Sequence, residues 1–122
     1  MLSRRFRSRT ADFEVTYNKG RRLRHPLLLC RYRLRPPIAG INNPRVAFVV
    51  PRRLAKAVHR NRWKRRMRHA FREIFLKSVS DGCAQSKWNR CDLIFILTQQ
   101  GMKAPPQEMS EAMNRLCQKV FR

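Results

Sequence analysis

A chain of 122 residues suits one compact domain, and an apolar share of 43% is too high for a disordered basic tail. Against 7 Asp and Glu stand 29 Lys and Arg, a formal net charge of +22, and that self-repulsion disfavours a compact chain unless an anion offsets it. No apolar stretch nears the roughly 20 residues of a membrane span, and Arg far outnumbers Lys, which suits bidentate phosphate contacts; nucleic acid is therefore the expected partner, with an anionic membrane surface the second candidate.

In chain order, residues 1–12 read as a basic arm. Its first ten residues are Arg- and Ser-rich and free of acids, a faint echo of a transit peptide, but an arm that touches RNA is the reading favoured here. Over residues 13–19 two conformations compete. Phe13, Val15 and Tyr17 alternate as in a strand. Phe13, Tyr17 and the closing Gly20 fit a short helix equally well, with Thr10 or Asp12 as N-cap and the glycine as C-cap. Residues 27–34 read as a strand, with Leu28, Cys30, Tyr32 and Leu34 on one face and Arg31, Arg33 and Arg35 on the other. The breakers of residues 36–44 make a loop, and residues 45–50 form a short β-rich strand stopped by Pro51.

The longest helical pattern covers residues 55–78, where Trp63, Met67, Ala70, Phe71 and Ile74 share one stripe. Residues 79–90 are a second loop, 92–98 an apolar strand and 99–105 a turn. A final amphipathic helix covers 106–121, with Met109, Ala112, Met113, Leu116 and Val120 at helical spacing. Strand, helix and strand in succession predict an α/β fold, a sandwich of helices on a sheet. Cys30, Cys83, Cys91 and Cys117 form no C-x-x-C pair, and the histidines fall at no ligand spacing with them. Buried thiols in a reducing compartment are the expectation; a Cys83–Cys91 disulfide is conceivable but nothing requires it.

Function is carried by the stretch from Pro51 to Arg72, which contains no acid. On a helical wheel Asn61, Lys64, Arg65, Arg68 and Arg72 form a second stripe beside the apolar one. One side of the helix can be buried while its flank presents a row of cations to a phosphate backbone. Asn61 both donates and accepts hydrogen bonds, so it suits a 2′-hydroxyl or a base edge. An ordinary solvated helix face would mix signs, with Glu four residues before Lys.

At this stretch the chain resembles the ribonuclease P protein family. Arg60-Asn61-Arg62, then Trp63, Lys64-Arg65, Arg66-Met67 and Arg68 match the family's Arg-Asn-Arg-x-Lys-Arg-x-x-Arg. Upstream, Val49-Val50 and Pro51-Arg52-Arg53-Leu54-Ala55-Lys56-Ala57-Val58 stand where the family has a strand, Ser-Lys-Lys and a segment ending in Ala-Val. Phe13 and Gly20, seven residues apart, and Asp92 before Leu93-Ile94 extend the match in order along nearly the whole chain. The departures are Pro51 for Ser, Ala55 and Ala47 for Gly, and His69 for Glu or Gln.

The resemblance implies a fold like domain 2 of ribosomal protein S5: a central sheet of about four strands with a left-handed βαβ crossover and helices packed on it, as a single domain over residues 1–122. It implies a protein subunit of ribonuclease P, acting in the cytoplasm, with no catalytic residue and no metal site of its own. A catalytic RNA would perform the cleavage that matures the 5′ end of tRNA, and Mg2+ would be required by that RNA. Carried over by position, Arg52, Arg53, Arg60, Asn61, Arg62, Lys64, Arg65 and Arg68 would bind the RNA subunit. Phe13 and Tyr17, with Arg31 and Arg33 beside them, would bind the 5′ leader of precursor tRNA, the aromatic rings stacking on unpaired bases. No membrane and no small-molecule substrate are implied. The alternative is a ribosomal or general RNA-binding protein with no role in tRNA processing. A protein-only nuclease would need clustered carboxylates to hold metal, and no motif joins the seven acids.

Overall fold

A computed structural model describes residues 10–35, 44–80 and 91–120. Most of the basic arm, most of both predicted loops and Cys83 lie outside the described residues. The two-way reading of residues 13–19 resolves as helix: α1 spans Thr10–Lys19. It ends at Gly20, whose N–H donates to the Thr16 carbonyl at 2.9 Å. A Cβ on Gly20 would lie 2.3 Å from that carbonyl oxygen and 2.9 Å from the Tyr32 carbonyl oxygen. Two backbones pass too close there for any side chain.

Four strands follow: β1 (Arg21–Arg24), β2 (Leu28–Leu34), β3 (Arg45–Val49) and β4 (Cys91–Leu97). They form one sheet in the order β1-β2-β4-β3. β2 runs antiparallel to both β1 and β4, and β3 runs parallel to β4. Parallel neighbours need a crossover, and the predicted long helix supplies it: α2 spans Ala57–Ser80 after a short 3-10 turn at Arg52–Leu54. Between the two, Ala55 has φ −167° and ψ 164°. This is extended backbone open to any residue, so the family glycine is not needed at this position.

Residues 99–105, predicted as a turn, contain a short helix, α3 (Gln99–Lys103). Thr98 explains it. Its hydroxyl accepts from the Gly101 N–H at 3.0 Å as an N-cap and donates to the Pro26 carbonyl at 2.6 Å. One side chain thus starts α3 and ties it to the β1–β2 turn. The last helix, α4, spans Pro106–Val120.

Strand register assigns the two faces of the sheet. Leu28 and Cys30 of β2 pair with Leu97 and Phe95 of β4, while Val46 and Phe48 of β3 pair with Leu93 and Phe95. These side chains point to one face, which α2 and α4 cover. Phe71 of α2 sits 6.1 Å from Phe48 and 6.0 Å from Phe95 by ring centroids. Met67, Phe71, Met109, Met113 and Leu116 are buried against the same face. Each such side chain contributes about 1.5–3 kcal/mol through burial. The opposite face carries Arg31, Arg33, Arg45, Asp92 and Ile94, and α1 packs on it across β2 and β4. Ile94 and Thr16 are buried beneath and within that helix. The molecule is layered as helix, sheet and helix pair, which realises the predicted sandwich of helices on a four-stranded sheet.

Candidate RNA interface

The core fixes how α2 is rotated, and that rotation selects its exposed residues. Trp63, Met67, Ala70, Phe71 and Phe75 are buried and Ile74 is half-buried. The apolar stripe therefore lies against the sheet and α4. Its neighbouring flank shows Asn61, Arg65 and Arg72 exposed, with Lys64 and Arg68 half-buried at the margin. The predicted cation row is a real surface.

The Arg60-Asn61-Arg62 triplet does not present one patch. Successive residues turn by about 100°, so Arg60 and Arg62 leave α2 on different sides. Arg60 is half-buried at the edge of the core, and its Nε is buried without a hydrogen-bond partner among the described residues. Arg62 and Asn61 are exposed, as are Arg52 and Arg53 on the 3-10 turn. Arg66, outside the predicted set, lies over the Trp63 ring at 4.9 Å from its centroid. Its guanidinium covers the rim of a buried indole and adds to the same cationic surface. The described acid of this helix, Glu73, faces His69 at 3.4 Å, with both side chains exposed. It lies beyond the acid-free stretch.

A second cationic set lies on the other side of the sheet. Tyr17 of α1 is 38% exposed, which leaves ring surface open to solvent. The Arg31 guanidinium sits 3.9 Å from the centre of that ring and donates to the Tyr17 carbonyl oxygen. Arg31 and Tyr17 thus form one stacked platform between α1 and β2. Phe13 stands one helical turn before Tyr17 on α1.

Arg33 is placed differently from Arg31. It donates to Asp92 Oδ2 at 2.9 Å. Asp92 is fully buried and also takes Arg45 at 3.2 Å and Arg35 at 3.5 Å on Oδ1. Register explains the meeting, because Arg33, Asp92 and Arg45 are direct partners across three adjacent strands. Arg35 and Arg45 are buried with it, a cluster that sequence reasoning missed. One signal was available: a lone acid opening an apolar strand needs cations around it, since a buried carboxylate is costly unless paired. Arg33 is therefore first a structural cation, with 27% of its side chain exposed.

The two predicted sets lie on opposite sides of the sheet, the Asn61–Arg72 flank with α2 and the Tyr17–Arg31 platform with α1. Burial pushes the Cys30 and Cys117 thiols up, with neighbouring Cys91 adding to the effect in both. Among the described residues, no group of three or more His, Cys, Asp or Glu is placed to hold a metal ion. No helix among them is long and apolar enough to cross a membrane.

The family model described as Ribonuclease P matches residues 3–120 of the chain. The ribonuclease P protein component of Herpetosiphon aurantiacus is 34% identical over 118 residues, covering 97% of this chain and 85% of that protein. The corresponding protein of Bartonella quintana is 45% identical over 75 residues, 59% of this chain and 56% of that protein. The chain thus spans little more than half the length of some of the relatives it matches. Among solved structures, the ribonuclease P protein of Staphylococcus aureus superposes with TM-score 0.68 at 22% identity, covering 96% of this chain and 98% of that one. That of Thermotoga maritima gives 0.69 at 22% identity, over 90% and 93%. At that identity the likeness concerns the fold.

Proposed function

The chain belongs to the ribonuclease P protein family, and from that premise we propose that it is the protein subunit of a ribonuclease P, assisting 5′ maturation of tRNA in the cytoplasm. The observation that carries this reading is the acid-free flank of α2, held outward by its buried stripe next to an exposed asparagine. Arg52, Arg53, Asn61, Arg62, Lys64, Arg65 and Arg68 bind the catalytic RNA, and Arg60 contributes from the margin of the core. Arg and Lys neutralise phosphates and release counterions, while Asn61 reads a 2′-hydroxyl or base edge.

The Tyr17–Arg31 platform, with Phe13 one turn before it and Arg33 behind it, receives the single-stranded 5′ leader of precursor tRNA. Placing these sets on opposite sides of a thin sheet suits a protein that joins two polyanions, because its charge offsets the repulsion between them. Leader contacts favour precursor over mature product, and each stacked base adds about 1–3 kcal/mol. The catalytic RNA holds the Mg2+ and performs the cleavage. This chain supplies affinity and positioning.

The test is cleavage of a precursor tRNA at low magnesium by a bacterial ribonuclease P RNA, with and without the protein. The expected outcome is cleavage restored by the protein, with none from the protein alone. RNA binding without any gain in cleavage would turn the assignment toward a general RNA-binding protein.

A further inference from the structure

At the end of the sheet where β4 begins, α1, β2 and α4 all finish, and a cavity of about 360 Å³ opens between them. It is lined by Lys19, Arg21, Tyr32, Leu34 and Val120, together with Gly20 and Arg33. This is not the α1 platform. Tyr32 and Leu34 point to the face that α2 and α4 cover, opposite Arg31, and the cavity meets the α1 side only at its rim, through Lys19, Gly20 and the Asp92-bound Arg33. Nor is it the Asn61 flank, because α2 starts from the far end of β3.

We propose that this cavity holds one unpaired ribonucleotide with its 5′-phosphate, a third RNA contact. The inference rests on the RNA-binding reading above. Its volume lies within the range of small-ligand sites, roughly 300–1,000 Å³. Its lining divides into the two halves that a nucleotide needs. Lys19 and Arg21 are exposed cations, and none of the described residues that line the cavity carries a carboxylate. Tyr32 and Leu34 supply the apolar half. Leu34 is 47% exposed at the end of a strand whose earlier inward residues, Leu28 and Cys30, are buried, so the cavity holds apolar surface that the core does not use. Arg21 is the direct cross-strand partner of Tyr32, which sets a cation beside a ring at the spacing of adjacent strands. Gly20 fixes Lys19 above them, because its lack of a Cβ lets the end of α1 press against the Tyr32 carbonyl. Aromatic faces stack on unpaired bases while cations hold the backbone.

The experiment is an amide NMR titration of the full chain with uridine 5′-monophosphate, and separately with uridine and with inorganic phosphate. Uridine monophosphate is expected to shift Gly20, Leu34 and Val120 and to bind about tenfold more tightly than either half alone, since a base and a phosphate contribute together. Leu34→Glu places an acid in the cavity and should weaken the nucleotide about tenfold or more. Arg21→Ala and Lys19→Ala, both at exposed positions, should each weaken it by about threefold, and they keep the test open if Leu34→Glu fails to fold. Equal binding of nucleotide and phosphate would leave an anion site and overturn the proposal. So would shifts confined to other residues, or unchanged affinity in a folded Leu34→Glu protein. A wild-type chain that binds ribonuclease P RNA while this cavity stays silent defeats this inference alone. A chain that binds no such RNA defeats the functional reading first.

Discussion

Asp92 is a single carboxylate on which three strands converge through Arg33, Arg45 and, just past the end of β2, Arg35. Such a cluster is costly to break, because removing one partner leaves buried charge uncompensated. Asp92→Asn is expected to lower the unfolding free energy by about 3–5 kcal/mol in urea melts; an unchanged midpoint would show that the guanidinium groups are satisfied without the carboxylate. The buried thiols make a second residue-scale prediction. With both pKa values raised, the folded chain keeps protons that the unfolded chain releases above the ordinary thiol value of 9.0. Stability present below that pH is therefore lost as pH climbs past it, by up to about 1.4 kcal/mol per pH unit for each thiol. Cys117→Ala should flatten that decline, as measured by denaturant melts across the alkaline range.

At the scale of elements, α2 combines two demands in one helix, and its rotation satisfies both. Trp63, Met67 and Phe71 anchor one side, so the exposed cations are spared any structural duty. Arg62→Ala with Arg65→Ala is expected to leave thermal stability within about 0.5 kcal/mol, as for ordinary surface positions. The same pair should reduce the slope of log affinity against log salt by about one for each phosphate no longer neutralised. Equal slopes in filter-binding assays with ribonuclease P RNA would move the RNA-binding face to another surface. α1 and β1 show the opposite case. Thr10–Lys19 has no strong apolar stripe, and Arg21–Arg24 is three-quarters arginine. Both take their form from β2, which β1 borders and α1 crosses. Charged side chains on the β1 edge also discourage pairing with another chain.

Across the whole molecule, a net charge of +22 is spread over both sides of a layered fold. Affinity for RNA should therefore fall steeply with ionic strength, on the order of 10³-fold or more between 50 and 200 mM salt for six to ten neutralised phosphates. A flat response would remove the electrostatic basis of the assignment. Because the α1 platform and the α2 flank are separated by the sheet, substitutions on the two should act independently. Arg31→Ala should weaken precursor tRNA more than mature tRNA, and Arg65→Ala should weaken both by loosening the hold on the RNA subunit. Mutations that share no partner add in this way.

The sequence alone determined the composition-level conclusions and every element with a strong internal period. The apolar stripes of α2 and α4, the alternation of β2 and the apolar run of β4 are all legible, because burial imposes a spacing on the chain itself. The acid-free stretch from Pro51 to Arg72 likewise announces an anionic partner, since charge of one sign needs no fold to be counted. Elements without such a period were decided elsewhere. The helical state of residues 13–19, the strand at Arg21–Arg24 and the short helix after Thr98 depend on contacts with Tyr32, with β2 and with Pro26. The convergence of Arg33, Arg35 and Arg45 on Asp92, the different sides on which Arg60 and Arg62 leave α2, and the cavity below Lys19 follow from strand register and helix rotation. Those are set by packing between segments far apart in the chain, which local sequence patterns do not record.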